Sequence, residues 1–268
     1  MHPCRVNRLR ADGTRPLLMG VINISPESFY SGSYVRKADI LCTAEAMIQQ
    51  GADLIDIGAR STAPDSPAIT VAEETSRVID ALRSLQGSGI TISLDTMIPS
   101  VLEAALHYDL HLVNDISGLI TPGMGSLITD AGLPAILMAS RERPGDCLTF
   151  AETCSALQEV TRRAEEAGVE EYILDPGVGK WIPDRTAMAD FELCRRFTAL
   201  HSFDRPLLAA VSRKSFIGAV TGKEPAERLS GSLGITASLI LSGAAMIRSH
   251  DVAETRDLIT VISAMQGA

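Results

Sequence analysis

Aromatic side chains are scarce in this chain, at 4% of 268 residues, and Trp181 is the single tryptophan. Lysine is scarcer still, with only Lys37, Lys180, Lys214 and Lys223. The 24 basic residues are outnumbered by 33 acidic ones, a net charge of −9 with histidine neutral. A nucleic-acid protein presents a basic face, so this composition argues against a nucleic-acid partner. An anionic small substrate stays open, because a few local Arg and Lys suffice for a positive site within an acidic protein. No apolar run reaches the ~18 residues of a transmembrane helix, so no membrane partner is expected. The N-terminal stretch MHPCRVNRLRADGTRP is polar and lacks a signal-peptide core. The five cysteines are odd in number and form no CxxC. They read as reduced thiols, some buried as small hydrophobes, rather than as a disulfide framework or zinc site, and they suit a cytoplasmic location.

No low-complexity stretch or Pro/Ser linker divides the chain. Instead a short apolar run, a loop and a helical pattern recur. The runs are 17–23, 53–58, 90–95, 111–115, 134–138, 171–175, 206–212 and 244–248. Each is apolar on both alternating faces, as in a parallel strand buried on both sides. Helical patterns occupy 37–50, ending at Gly51; 70–86, opening with Thr70 and Glu73 as a capping box; and 152–167, ending at Gly168. Two more cover 228–242, before Gly243, and 251–265, opened by Asp251 as an N-cap. Alternating strands and helices over this length predict a single-domain (β/α)8 TIM barrel, with residues 1–15 as an N-terminal extension. A doubly wound open sheet is disfavoured, because no GxGxxG follows the first strand.

The strand ends locate a site. On their C-terminal sides stand Asn23, Asp56 with Arg60, Asp95, Asn114 with Asp115, Asp175, Ser212 to Lys214, and Arg248 with His250. Only the fifth strand, at Leu137 and Met138, ends apolar. Isolated polar strand ends are explained by caps and turns, but so many in one barrel mouth need partners, since unpaired buried polar groups cost several kcal/mol. A shared polar ligand supplies them. The carboxylates are spread around the ring rather than clustered as a hard-metal cage would require. A heterocycle with adjacent N–H donors and a carbonyl fits better, with carboxylates accepting the N–H bonds, Lys214 serving the carbonyl and the Arg248 plane stacking on the ring. Asn23, Arg248 and His250 are the phosphate candidates. Asp115 reads equally well as a loop residue bonding backbone, His107 and His111 as surface histidines, and Met138 as core.

The motifs MGVINISPESF (19–29), GADLIDIGARSTAP (51–64), ISLDT (92–96), HLVNDISG (111–118), ILDPGVG (173–179), SRKSFIG (212–218) and R-x-HDV (248–252) occur in order. Together they resemble the dihydropteroate synthase family of pterin-binding barrels, over about residues 17 to 265. The resemblance implies that 6-hydroxymethyl-dihydropterin diphosphate is joined to p-aminobenzoate or a related arylamine with loss of diphosphate. It implies pterin binding by Asp95, Asn114, Met138, Asp175, Lys214 and Arg248, with Asp95, Lys214 and Arg248 central to catalysis. Diphosphate would fall to Asn23, Thr62, Arg248 and His250. The second substrate would meet Arg60, Thr62, Lys180 and Ser215. Asn23 would ligate Mg²⁺, and a homodimer paired through the last two helices is implied.

The loops depart from the family pattern. Ala63 replaces the Arg of S-T-R-P, Arg60 stands where Glu is usual, and Ser31 where Asp is usual. Ala139 and Ser140 replace a His-Met pair, and Lys180 and Trp181 stand where the family has Phe-Gly. The added cations Arg60, Arg141, Arg143 and Lys180 suggest a more anionic arylamine. The alternatives are a pterin-dependent methyltransferase-type barrel, disfavoured by SRKS and the diphosphate set, and a non-catalytic pterin-binding protein, favoured by Ala63 and Ser31.

Overall fold

The computed structural model describes residues 4–6, 9–11, 15–25, 34–60 and 67–267. A hairpin of β1 (Cys4–Val6) and β2 (Leu9–Ala11) precedes a parallel sheet. Its strands are β3 (Leu17–Asn23), β4 (Leu54–Gly58), β5 (Ile92–Asp95), β6 (Leu112–Asp115), β7 (Ala135–Met138), β8 (Tyr172–Asp175), β9 (Leu208–Ala209) and β10 (Met246–Ser249). The strands are hydrogen-bonded in the order β8-β7-β6-β5-β4-β3-β10-β9. The two edges then meet: the Leu174 N–H donates to Pro206 O at 2.9 Å, and Leu174 bridges Leu207 in parallel. This closes the expected (β/α)8 barrel, in which active sites sit at the C-terminal ends of the strands.

The seventh strand is shorter than its apolar run, because the chain leaves the ladder after Ala209 and turns at Arg213, whose φ is +56°. The long helices follow their sequence signals. In α2 (Val71–Leu85), Thr70 Oγ1 accepts from the Glu73 N–H at 3.1 Å. In α5 (Phe150–Ala167), Thr149 caps in the same way and Gly168 ends the helix in the left-handed region, where glycine carries no Cβ penalty. α1 (Ile40–Gln49), α8 (Leu229–Leu241) and α9 (Val252–Gln266) fill the other helical patterns. Asp251 stands at the N-cap of α9 as expected, but its side chain makes no cap bond and pairs instead with Arg213 at 2.6 Å. The sequence reading outlines none of α3 (Pro99–Ala105), α4 (Met124–Asp130), α6 (Ala187–Arg195) and α7 (Ser215–Thr221), which have seven to nine residues each, too few for a periodic pattern to stand out.

Strand alternation builds two cores. Outward side chains such as Leu18, Ile22, Ile55, Ile57, Leu94 and Leu174 pack under the helices. Inward ones, namely Leu17, Met19, Leu54, Leu112, Ile136, Ile173, Leu208 and Met246, fill the barrel floor. The N-terminal extension completes that floor: Cys4 and Val6 of β1 are buried among these residues, and the Arg5 N–H donates to Glu171 Oε2 at 2.8 Å. Burial pushes the Cys4 thiol up to about 12, so it behaves as an inert hydrophobe.

Candidate active site

The next inward position on each strand is two residues beyond the floor. Leu54 leads to Asp56, Leu112 to Asn114, Ile136 to Met138, Ile173 to Asp175 and Met246 to Arg248. The same alternation therefore yields an apolar floor and, one layer up, a polar mouth.

Asp56, fully buried, organises this layer. It accepts from Ser93 Oγ at 2.6 Å, from Asn114 Nδ2 at 3.1 Å and from Arg248 Nε at 2.7 Å. Arg248 also donates through Nη2 to Asp95 Oδ2 at 3.3 Å. Its guanidinium is thus tied to two carboxylates of the mouth. Asn23 and Asp95 flank Gly58: a Cβ on that glycine would lie 3.4 Å from Asn23 Oδ1 and 3.7 Å from Asp95 Oδ2. Asp175 accepts from the Gly177 N–H at 2.8 Å, and Lys214 Nζ donates to Val178 O at 2.5 Å. His250 donates its backbone N–H to Ser212 Oγ at 3.2 Å and places Nδ1 3.1 Å from the same hydroxyl.

The enclosure shifts these groups. Burial, with Asp56 next, raises Asp95 to about 7, against the opposing pull of Arg248. Asp175 is raised by burial, and Lys214 is lowered by burial although Asp175 opposes this. Arg248 is raised by Asp56 and Asp95, which overcome its burial. Burial and then Arg248 drive His250 down to about 3, leaving a neutral imidazole at physiological pH.

Asn23, Asp95, Asn114, Met138, Asp175, Lys214, Arg248 and His250 therefore gather at one barrel end. Lys180 and Ser215 line a cleft of about 410 Å³ beside it, together with Arg185, Asp190 and Phe216. Arg60 lies on another side, its Nε 2.6 Å from Glu74 Oε2, and Thr96 Oγ1 donates to the other oxygen of Glu74 at 2.8 Å. Thr62, Ala63 and Ser31 lie outside the described residues. Asp115, the last residue of β6, bonds the backbone of the following loop, accepting from the Ser117 and Leu119 N–H groups at 2.8 Å. His107 is exposed, but His111 is half-buried and accepts from the Ile92 N–H through Nδ1 at 3.2 Å, so it is a structural group rather than a surface one.

Sequence reasoning places Asp56 and Ser212 among the polar strand ends of the mouth without giving either a role of its own, and it misses Ser93 and Glu74. Ser93 is discoverable, since it lies two residues before Asp95 on one strand and shares its inward face. Glu74 carries no signal, as a carboxylate in the first turn of a helix is ordinary there.

Known proteins resemble this chain in sequence and fold. Residues 19–250 match the family described as pterin binding enzyme. The chain is 35% identical to dihydropteroate synthase of Escherichia coli K12, with 96% of this chain and 94% of that one covered. The chain belongs to the dihydropteroate synthase family. Among solved family structures, the Yersinia pestis synthase in complex with a sulfonamide drug superposes with a TM-score of 0.90 at 30% identity, covering 99% of both chains. The Xanthomonas albilineans synthase with 4-aminobenzoic acid gives 0.88 at 32% identity, over the whole of both chains. Family membership makes this chain a transferase of the dihydropteroate synthase type.

Proposed function

We propose that this chain binds 6-hydroxymethyl-dihydropterin diphosphate in the barrel mouth and transfers its pterin-methyl group to p-aminobenzoate or a related arylamine. The observation that supports this most directly is the pairing of acceptors and donors in one layer. Asp95 and Asp175 accept N–H bonds, Asn114 and Lys214 donate, and Arg248 offers a fixed planar face among them. An aminopyrimidinone ring presents the complementary set, with adjacent N–H donors, ring nitrogens and one carbonyl.

In the reaction the arylamine nitrogen attacks the exocyclic methylene. The bond from that carbon to the diphosphate oxygen breaks, diphosphate leaves with the electron pair, and the nitrogen loses one proton to solvent. An aniline nitrogen is already nucleophilic, so no strong base is needed. The mouth must stabilise positive charge on the methylene and negative charge on the leaving group. Asp95 and Asp175 serve the first need. Arg248, the neutral N–H of His250 and the amide of Asn23 serve the second.

Among the described residues no group of three or more His, Cys, Asp or Glu is arranged to hold a metal. Asn23, whose Oδ1 lies with Asp95 Oδ2 beside Gly58, would be the protein ligand of a Mg²⁺ carried mainly by substrate oxygens and water, as a cation slow to shed its hydration shell prefers. When bound, the metal would neutralise charge on the departing diphosphate.

The arylamine fits the cleft bearing Lys180 and Ser215, next to Lys214. Arg60, already tied to Glu74, is a poorer candidate for direct contact than either. A second copy of the chain would cover the exposed Val220, Leu241, Val261 and Met265 on α7, α8 and α9. No described helix is long and apolar enough to cross a membrane, and the free thiols fit a reducing compartment such as the cytoplasm.

Pyrophosphate release from the pterin diphosphate, measured with and without p-aminobenzoate, tests this reading. Release that depends on the arylamine is expected. Saturable pterin binding without release under either condition would reduce the protein to a pterin-binding module, and absence of binding would remove the pterin site altogether.

A further inference from the structure

Trp181 is accounted for neither by the fold nor by the reaction. It lies in the loop that follows Asp175 at the end of β8, and it is anchored on two sides. Its backbone N–H donates to Gly179 O at 3.1 Å, and its indole N–H donates to Gly177 O at 3.0 Å. Across the ring lies the loop after β7. A Cβ at Gly145, where φ is +65°, would come within 2.2 Å of Trp181 Cγ, so only a glycine lets the ring seat there. Between these anchors the ring centroid stands 5.1 Å from Lys214 Nζ. The lysine stem runs equally close to bare backbone: a Cβ at Gly179, φ +125°, would lie 2.9 Å from Lys214 Cδ.

We propose that Trp181 is a positioning residue for Lys214, its ring face and the Val178 carbonyl together holding the charged ammonium over the barrel mouth, aimed at the pterin carbonyl. The proposal rests on the pterin reading above. Its physical basis is that an aromatic quadrupole attracts an ammonium and not a neutral amine. Burial lowers Lys214, Asp175 from β8 raises it, Arg248 from β10 lowers it, and Asp190 and Cys194 from α6 raise it. The Trp181 face acts with the acidic groups to keep the lysine charged, and it also fixes where the charge sits. Gly145 and Gly179 are the companion residues that make the close approach possible.

Because Trp181 is the only tryptophan, its emission reports on the contact directly. In the ligand-free protein, titration from neutral to about pH 11 should shift the emission with a midpoint below the ordinary lysine value, and Lys214→Met should abolish the shift. Binding of 6-hydroxymethylpterin is followed by calorimetry across the same range. Trp181→Leu should weaken it roughly tenfold and move its alkaline limit to lower pH, whereas Trp181→Phe, which keeps a ring face, should stay within about threefold. An unchanged emission transition in Lys214→Met, or wild-type affinity and alkaline limit in Trp181→Leu, would overturn the proposal. A wild-type protein that binds no pterin yet keeps the Lys214-dependent transition would overturn the pterin reading and the target named for the ammonium, while the contact itself would stand.

Discussion

The two ends of the barrel are made by the same strands and behave oppositely. At the floor, Leu54, Leu112, Ile136, Ile173 and Met246 pack with Cys4 and Val6 and contain no ion pair. At the mouth, two residues along, Asp56, Asn114 and Asp175 are buried, Arg248 is partly exposed, and all four are polar. The floor gains its stability from burial, which is indifferent to the identity of partners as long as volume is filled. The mouth gains little from its pairs, because desolvation offsets their attraction, and it is tolerable only when every member is matched. The comparison places the gain from apolar burial at one end and, under the proposed function, binding specificity at the other.

Asp56→Ala should separate the ends most forcefully. Ser93, Asn114 and Arg248 would lose their common acceptor, costing about 3–5 kcal/mol by analogy with broken buried pairs. Steady-state kinetics should show kcat/KM reduced roughly a thousandfold or more, and activity within tenfold of wild type would mean that Asp56 does not organise the mouth. Next in size is Ile173→Ala in the floor, expected to cost about 2–5 kcal/mol in denaturant unfolding. Its kcat/KM at a temperature where it remains folded should stay within about twofold, and a large kinetic defect would dissolve the division of labour.

pH sharpens the same contrast. Asp95 is raised from 3.8 to about 7, so its contribution to stability is present in acid and is lost as pH rises through that window. Wild type measured against Asp95→Asn should therefore lose relative stability between about pH 4 and 7. His250 is lowered from 6.5 to about 3, so its contribution is present above 6.5 and is lost as pH falls. Wild type against His250→Gln should weaken in the opposite direction, and parallel melting curves for either pair would contradict the assigned enclosure. The smallest effect is expected outside both ends: Thr149→Ala removes the α5 cap and should lower stability by about 1 kcal/mol with kinetics unchanged.

Much of the barrel and its mouth is legible in the sequence. Each of the eight apolar runs forms a strand, and the polar residues at their ends converge as expected. The misreadings share a cause, in that a side chain's partner lies far along the chain. Asp251 reads as a local cap, yet Arg213 claims it from a separation of 38 residues. Arg60 reads as a free cation at the mouth, yet a helical glutamate already holds it. The polar N-terminal extension reads as an appendage, yet two of its apolar residues, Cys4 and Val6, are buried in the floor and Leu9 packs against it.

By itself the sequence determined the alternation: an apolar layer, then a polar layer, repeated on most of the strands, because successive side chains of a strand point to opposite faces. Tertiary structure alone decided the pairing within the polar layer. Arg248 and Asp56 are 192 residues apart and meet only because the barrel closes, setting β10 beside β3 and β3 beside β4. Which carboxylates receive the guanidinium, which keeps its proton near neutrality and which lysine ammonium lies over the one tryptophan all depend on that closure. Coulombic and hydrogen-bond energies depend on distance in space, and local sequence carries no record of it.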